Sequence, residues 1–508
     1  MSERPNILWL FSDEHERSVS GYAGDPIVRT ENLDRLAGKS VQFTQASCTY
    51  PVCTPSRMSI LCGKEAHTCS AWSNHWVIFP EHRTWPEHFA DHGYTTCLVG
   101  KMHFGGKNQM NGFQHRPYGD LRHGLGHQPD PLSMYPGYAA PEGAGVTEIP
   151  ESLIQDVVVT RESLSFLREH HDQHPEKPWF LCASYGRPHS PFTAPGRYIR
   201  RYQGKVPLRE PGADQADSLE PFAGRLAFDI TEEETIRGLE GYYACVDFVD
   251  DCMGELLDGL ERDGLLENTI IIYTADHGDM LGQYGCWGKQ LYYESSMGVP
   301  LLISGPGIAE DALCDHPISL MDLFPTACGL AGLPIPEELE GVDFSEVLRN
   351  PESASSPREY APCAAYRYGV RINYNNAFST DDPQAAWRCV RSRDWKYVEV
   401  ERGDRLLFDL RNDPKETVNL AEEPEHAERC RTMREELYRN FSWEEVHRKL
   451  AEDRSRLPQF YSGEMPGTPN QYMLSDGRVF DAEKSLYDIR WLRIPPGCSG
   501  GIIPQMKG

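Results

Sequence analysis

Short apolar runs recur along the chain, and most of them end in a cluster of polar residues. They cover residues 6–11 (NILWLF), 95–99 (TTCLV), 178–184 (PWFLCAS), 269–275 (TIIIYTA) and 299–304 (VPLLIS). Uninterrupted runs of this length are typical of strands that are buried on both faces of a parallel sheet. Amphipathic helical spacing lies between them, at residues 85–92, 152–171 and 232–263. The alternation predicts an α/β fold with a mostly parallel sheet flanked by helices.

The C-terminal part of the chain has a different pattern. Residues 351–358 are rich in Ser, Pro and Glu, which is typical of a connector. Beyond this segment the sequence predicts a hairpin at residues 387–400, a strand and turn at 406–414, and a packing helix at 425–441. We therefore predict a main α/β domain over residues 1–375, a smaller α+β subdomain over 376–450 and an extended tail over 451–508.

Three segments lack a regular pattern. Residues 105–150 are rich in Gly, Pro and His, and we expect them to form a wall of the substrate site. Residues 204–226 are expected to form an excursion on the surface. The tail contains aromatic residues without a core pattern, so it should lie on its own domain or on a neighbouring subunit. We predict that it contributes to the interface of a homo-oligomer.

Net charge and the length of the apolar runs indicate which classes of binding partner this protein lacks. The formal net charge of −26 over 508 residues excludes nucleic-acid binding by broad electrostatic attraction, although a local positive pocket for a small anion remains possible. No apolar run approaches the ~20 residues that span a bilayer, so we expect no membrane partner.

The chain enters its first strand without a signal-peptide pattern, and its 15 cysteines form no CxxC pair. Both features favour a reducing compartment, and we predict a cytoplasmic protein.

Candidate chemistry follows the predicted strands. Asp13 and Glu14 come directly after the first strand, and Asp276 and His277 follow the strand at residues 269–275. Carboxylates that face inward repel each other unless a cation lies between them, so a divalent metal is one interpretation. A solvated loop or a helix N-cap is the alternative. Cationic side chains follow other strands or lie close by, namely Lys101, His103, His189 and Lys289.

The segment from Cys53 to Arg57 (CTPSR) places a sulfur atom beside a permanent cation. Pro55 should fix the local turn, and Ser56 could cap a following helix. A small buried thiol next to an ordinary surface arginine is the alternative. The cationic and acidic motifs elsewhere in the chain favour a functional cysteine.

These motifs together resemble the formylglycine-dependent (type I) sulfatases of the alkaline phosphatase superfamily. The resemblance extends over residues 4–420 and keeps the order of motifs that the family shows. It implies an alkaline-phosphatase-like fold and metal-dependent hydrolysis of sulfate monoesters. It also implies that a maturation enzyme oxidises Cys53 to formylglycine, whose hydrated gem-diol attacks the sulfate and later collapses to release it.

The resemblance also implies a role for each site residue. The ligands of one divalent cation would be Asp13, Glu14, Cys53 as formylglycine, Asp276 and His277. Arg57 would orient the gem-diol, Lys101 and Lys289 would neutralise sulfate oxygens, and Asn74 would hold the sulfate. His103 would accept the diol proton, and His189 would protonate the leaving alcohol. Glu14 and His277 depart from the usual family residues, so Mn²⁺ becomes a rival to Ca²⁺.

Residues 100–104 (GKMHF) and 111–113 (NGF) are similar to the choline-sulfatase group. Carbohydrate sulfatases also share features with this chain. The expected substrate is therefore a small-molecule or saccharide sulfate ester. Trp72, Trp76 and Tyr118 are candidates for an aromatic cage around a trimethylammonium group. Phosphonate monoester and phosphodiester hydrolases of the same fold are the main alternative, but they carry Tyr and Thr where this chain has Lys101 and His103. A catalytically inactive binding protein would lack part of the constellation, which is complete here.

Overall fold

The computed structural model describes residues 4–74, 76–106, 108–119, 143–209, 230–366, 386–460, 471–473 and 479–481. Its strands are β1 (Asn6–Asp13), β2 (Ser40–Phe43), β3 (Ala46–Ser47), β4 (Thr95–Gly100), β5 (His115–Tyr118), β6 (Gly145–Val146), β7 (Trp179–Pro188), β8 (Thr193–Ala194), β9 (Thr269–Ala275), β10 (Leu301–Ser304), β11 (Ala312–Cys314), β12 (Ile318–Ser319), β13 (Ala361–Ala365), β14 (Trp387–Arg391), β15 (Trp395–Val400), β16 (Arg405–Asp409), β17 (Gln471–Met473) and β18 (Val479–Asp481). Its α-helices are α1 (Glu31–Ala37), α2 (Cys53–Cys62), α3 (Trp85–Asp91), α4 (Gln155–Gln173), α5 (Gly196–Tyr202), α6 (Glu232–Arg262), α7 (Glu294–Met297), α8 (Leu323–Ala331), α9 (Ser345–Arg349), α10 (Ala427–Leu437) and α11 (Trp443–Arg456).

An eight-stranded sheet forms the centre of the main domain, in the order β11-β2-β10-β9-β1-β7-β4-β5. Neighbouring strands are parallel except at β10, which runs antiparallel to both β9 and β2. The predicted α/β fold with a mostly parallel sheet is therefore confirmed. The apolar run at residues 299–304 supplies the one antiparallel strand of this sheet, a direction that an apolar pattern does not encode.

The central strand β1 shows why the runs are continuous rather than alternating. Ile7, Trp9 and Phe11 belong to the apolar cluster on one face of the sheet, whereas Leu8 and Leu10 belong to the cluster on the other face. Helices α4 and α6 cover the second face, and α2, α3 and α8 pack into the first. Both faces of the strand are buried against apolar side chains, so residues 7–11 are all apolar.

Polar residues at the C-terminal ends of the parallel strands lie at one edge of the sheet. Asp13 ends β1, Lys101 follows β4, His189 follows β7, and Asp276 follows β9. Open α/β sheets place their ligands at this carboxyl edge. The sheet order β9-β1-β7-β4 therefore brings together residues that are far apart in the sequence.

The small C-terminal sheet is antiparallel, in the order β13-β14-β15-β16, and α10 packs on it. The predicted hairpin at residues 387–400 forms β14 and β15. Strand β13 (Ala361–Ala365) joins this sheet although it precedes the predicted boundary at 375, and helix α11 (Trp443–Arg456) extends across the predicted boundary at 450. Strand β13 has no strong local pattern, since it is short and its partners lie beyond residue 386.

Several predictions concern residues outside the described part of the chain. The boundary at residue 375 lies there, as do most of the irregular wall at 105–150, most of the excursion at 204–226 and most of the tail beyond 460. The substrate wall and the oligomer interface therefore stay predictions. No helix among the described residues combines the length and apolar character that crossing a membrane requires.

Gly100 at the end of β4 allows the close approach that places Lys101. Its φ is +94°, and a Cβ added there would lie 2.1 Å from the backbone oxygen of Ser184, which accepts the Lys101 N–H at 3.0 Å. Gly93 has nearly the same φ, +93°, but open space around it. The two glycines thus have nearly the same φ and differ in packing.

We predict that Gly100→Ala destabilises the protein much more than Gly93→Ala. The left-handed conformation should cost either variant about 1 kcal/mol, while the clash with the Ser184 carbonyl should add about 1–3 kcal/mol for Gly100→Ala. Urea unfolding of both variants measures the difference. Equal losses of unfolding free energy would show that the approach of β4 to β7 does not need a glycine.

Candidate active site

Cys53 is the first residue of α2, directly after an extended Val52. Its side chain is fully buried at the carboxyl edge of the large sheet. Pro55 is the third helical residue, where a missing N–H leaves no helical hydrogen bond unmade. The predicted capping role of Ser56 is wrong, because Ser56 lies inside the helix and its hydroxyl donates to the backbone oxygen of Asp276 at 2.6 Å. Ser56 therefore ties the helix to the residue that follows β9.

Arg57, one helical turn after Cys53, binds two carboxylates. Its Nε donates to Asp276 Oδ2 and its Nη2 donates to Asp13 Oδ2, both at 2.7 Å. Its Nη1 donates to the Lys101 backbone oxygen at 2.7 Å and to Ser184 Oγ at 3.1 Å. The guanidinium is fully buried. In this geometry Arg57 fixes the positions of the acidic side chains, and its predicted contact with the gem-diol stays a prediction.

A first group of ligand atoms could hold a metal ion. One atom each from Asp13, Cys53, Asp276 and His277 lies within 4.8 Å of the others. His277 Nδ1 lies 2.9 Å from the Gly278 oxygen, which directs Nε2 toward Cys53 Sγ at 3.4 Å. Two carboxylates and an imidazole are suitable donors for a divalent cation. The predicted ligands other than Glu14 thus fit such an ion.

Glu14 belongs to a second group of ligand atoms, with Asp13 and His189. Its Oε2 lies 2.9 Å from Lys289 Nζ and 3.4 Å from His189 Nε2. Burial raises the pKa of Glu14 well above its ordinary value, although Lys289 opposes this. The backbone at Glu14 has φ +67°, and its N–H donates to Asp276 Oδ1 at 3.0 Å. The predicted metal ligand Glu14 therefore faces a cation in this structure.

The predicted sulfate-binding cations line the open side of the site. Lys101 Nζ lies 2.9 Å from Asp13 Oδ2, and His189 Nε2 lies 3.8 Å from Asp13 Oδ1. The side chains of Lys101, Lys289 and His189 are 15%, 13% and 20% exposed, whereas that of Asp13 is fully buried. A substrate that enters from solvent therefore meets these three groups before it meets the carboxylates.

His103 and Asn74 are held at the N-terminus of α2 by Thr54. The Thr54 hydroxyl donates to the His103 backbone oxygen at 2.7 Å, and Asn74 Oδ1 accepts the Thr54 N–H at 3.0 Å. His103 adopts φ +59°, a conformation that few non-glycine residues adopt. The structure thus brings both predicted residues to the site. Sequence reasoning missed Thr54, whose position next to Cys53 was its only signal.

The electrostatics favour negative charge at Cys53. Burial raises the pKa of the thiol, but Lys289, Lys101 and His277 outweigh it and lower that pKa well below its ordinary value. For His277, burial lowers the pKa of the imidazole, but Asp276 outweighs it and raises that pKa to about 9. A metal ion that binds here must displace the His277 proton. The site is therefore built to stabilise an anion at the position of the Cys53 side chain.

The predicted aromatic cage is wrong. Trp72 and Trp76 are fully buried in the apolar cluster on one face of the sheet, and Trp72 Nε1 donates to Asp453 at 2.8 Å. Tyr118 belongs to the cluster on the opposite face. The three rings cannot surround one ligand, because the sheet lies between them.

Comparison with known proteins identifies the family. Residues 5–333 match the sulfatase family, and residues 282–442 match the C-terminal region of N-sulphoglucosamine sulphohydrolase. Choline-sulfatase of Rhizobium meliloti (strain 1021) is 32% identical over 450 residues, which cover 83% of each chain. The arylsulfatase of Clostridium perfringens (strain 13 / Type A) is 28% identical, with 87% of this chain and 95% of that protein covered. The fold and site are those of a sulfuric ester hydrolase. The chain belongs to the sulfatase family, as the motifs predict.

Solved structures share the fold. A protein solved in complex with its substrate D-glucosamine-2-N,6-O-disulfate superposes with a TM-score of 0.69 at 21% identity, covering 89% of this chain and 99% of that one. The phosphonate monoester hydrolase of Agrobacterium radiobacter gives a TM-score of 0.71 at 22% identity, covering 94% and 99%. Both similarities support the alkaline-phosphatase-like fold. They do not distinguish hydrolysis of sulfate esters from hydrolysis of phosphonate monoesters.

We predict that Ca²⁺ or Mn²⁺ raises the melting temperature of metal-stripped protein. An ion that binds only the folded state, at 100 times its Kd, should stabilise that state by about 2.7 kcal/mol. Asp276→Asn should lose most of this metal-induced shift, and the exposed Glu435→Gln should keep it. Differential scanning calorimetry with and without each ion measures the shifts. Equal shifts in both variants would contradict a site at Asp276.

Proposed function

We propose that this sulfatase hydrolyses sulfate monoesters with a formylglycine nucleophile made from Cys53 by a maturation enzyme. The observation that carries the proposal is the position of Cys53, buried at the first turn of α2 and surrounded by Lys101, Lys289 and His277. When hydrated, formylglycine supplies an oxygen nucleophile and a release step that a thiol lacks. The helix N-terminus adds favourable backbone dipoles at the same point.

The two lysines would hold the sulfate oxygens. The two lysines contact adjacent carboxylates, since Lys101 contacts Asp13 and Lys289 contacts Glu14. A bound sulfate ester would share these ammonium groups and place its sulfur atom beside Cys53. Fixed cations at the oxygens where charge accumulates contribute several kcal/mol to transition-state stabilisation. Asn74, at the start of the same helix, would donate to a further sulfate oxygen.

Two histidines would transfer protons in the reaction, one as an acceptor and the other as a donor. His103 forms a side-chain hydrogen bond with Cys53 that helps to lower the pKa of the thiol. This imidazole would accept the proton of the gem-diol when the sulfate is released. His189 would protonate the leaving alcohol oxygen. Burial, Lys101 and Lys289 lower the pKa of His189, and the negative charge of a bound sulfate would offset the effect of the two lysines.

One divalent cation would bind Asp13, Asp276, His277 and the modified Cys53, with Glu14 as a further ligand once Lys289 turns to the sulfate. Carboxylate oxygens favour Ca²⁺, and the imidazole makes Mn²⁺ a rival. The bound ion would help to hold the modified residue and a sulfate oxygen in place. Arg57 would keep Asp13 and Asp276 apart at the spacing that the ion needs.

The substrate is proposed as a small sulfate ester. The similarity to choline-sulfatase favours choline sulfate, and the saccharide-bound structural neighbour supports a saccharide sulfate as the second candidate. We also propose a homo-oligomer and a cytoplasmic location. The fourteen cysteines in the described part of the chain form no disulfide bonds with one another, which is consistent with a reducing compartment.

We predict that the Cys53 peptide of active protein is about 18 Da lighter than the unmodified peptide, because an aldehyde oxygen replaces H₂S in a step outside the ordinary thiol oxidation series. Cys53→Ala should fold and lose turnover. Cys62→Ala, at the other end of the same helix, should keep both the mass change and the activity. Peptide mass spectrometry decides the matter, and full activity with an unmodified Cys53 thiol would refute the proposal.

We predict that Lys101→Met combined with His103→Asn lowers turnover of 4-nitrophenyl sulfate by about 10²–10³, because one fixed cation and one proton acceptor are removed. Asn is chosen because it tolerates the φ of +59° at position 103. Turnover of a phenylphosphonate ester should fall far less. A wild-type preference for the phosphonate ester, or equal losses on both substrates, would favour the phosphonate hydrolase alternative.

A further inference from the structure

The segment that carries Lys289 has no regular secondary structure apart from one short helical turn. We define residues 278–293, between β9 and α7, as the lysine loop. Within it, Gln290 directly follows Lys289 and has φ +82°, which side-chain-bearing residues rarely adopt. A backbone in this conformation persists only where surrounding contacts hold it. The contacts of Gln290 therefore bear on the position of Lys289.

Gln290 is held from two sides. Its N–H donates to the backbone oxygen of Pro51 at 3.1 Å, two residues before Cys53. Its backbone oxygen accepts a hydrogen bond from Trp387 Nε1 at 3.0 Å. Trp387 is fully buried at the start of β14, in the small C-terminal sheet. The backbone of this one residue thus connects the lysine loop, the segment that precedes Cys53 and the C-terminal sheet.

Other contacts join the lysine loop to strand β15 and to the segment that follows β16, but they lie farther from Lys289 along the chain. Tyr284 donates its hydroxyl hydrogen at 2.6 Å to the Lys415 oxygen, and the Glu416 oxygen is 2.8 Å away. Lys396 Nζ, on β15, donates to the Tyr292 oxygen at 2.6 Å. These bonds hold the middle of the loop, at Tyr284, and its C-terminal end, at Tyr292. Trp387 contacts the residue that adjoins the catalytic lysine.

We propose that Trp387 is a positioning residue of the active site, which acts by holding Gln290 and thereby Lys289. The inference rests on the proposed function, since it assigns the cause of the Lys289 geometry. A lysine side chain is long and flexible, so the place of its ammonium group depends on how firmly its backbone is fixed. A displacement of about 1 Å in a reacting constellation lowers rates by about 10²-fold.

The test is a double-mutant cycle. Trp387→Phe removes the indole donor and keeps an aromatic ring, so we expect kcat/KM for 4-nitrophenyl sulfate to fall about 10-fold to 100-fold, mainly through kcat. In a Lys289→Met background the same change should alter kcat/KM by less than about twofold, because the group through which it acts is gone. Trp395→Phe, in the same sheet but stacked on Arg429, is the matched control and should change neither background.

Hydrogen–deuterium exchange supplies a readout that does not need turnover. In Trp387→Phe, peptides that contain Gln290 should exchange faster, while peptides from β1 and α6 should be unchanged. Equal losses of activity with and without Lys289, or unchanged exchange at Gln290, would overturn the role of Trp387. If the wild-type protein does not hydrolyse sulfate esters but Gln290 exchange still rises in the variant, the proposed function is wrong and the positioning contact stands.

Discussion

The buried contact of Arg57 with Asp13 and Asp276 is the interaction on which the remaining structure depends. Two carboxylates without solvent access repel each other, and burying either one without a partner would cost several kcal/mol. The guanidinium satisfies both with separate 2.7 Å hydrogen bonds. In doing so it locks α2 against the ends of β1 and β9. One side chain on the helix that begins with Cys53 consequently holds both Asp13 and Asp276, and lysine could not reproduce its planar set of donors.

The electrostatic character of the site is opposite to that of the whole protein. The chain carries a formal net charge of −26, yet Lys101, Lys289 and Arg57 converge beside Cys53. Each of these cations contacts a buried carboxylate, so the positive charge at the site is partly neutralised in the structure. Burial strengthens the electrostatic interaction within these pairs. Salt screens charges on the surface over about 10 Å at ordinary ionic strength, whereas it screens buried charges much less.

The small C-terminal sheet contacts two segments that adjoin the active site. Its strand β14 supplies Trp387 to the lysine loop and also Arg388, which is buried and forms an ion pair with the partly buried Glu65 just beyond α2. Burial opposes ionisation of Glu65, but Arg388 outweighs it and lowers the pKa of this carboxyl to about 2. The pair therefore stabilises the contact above pH 4.5, the ordinary pKa of the group, and loses this effect as the pH falls toward 2. Two separate segments of the catalytic domain thus depend on one strand of the second sheet.

The sequence by itself determined the buried strands, the α/β class and the residue types of the site, because continuous apolar runs and short motifs are local signals. It did not determine that Glu14 faces Lys289, that Ser56 bonds Asp276 instead of capping a helix, or that the sheet separates Trp72 from Tyr118. Each of these depends on a positive φ or on a partner far away in the chain. The tertiary structure alone decides them, since side-chain direction and long-range pairing are set by packing and leave no periodic trace in the sequence.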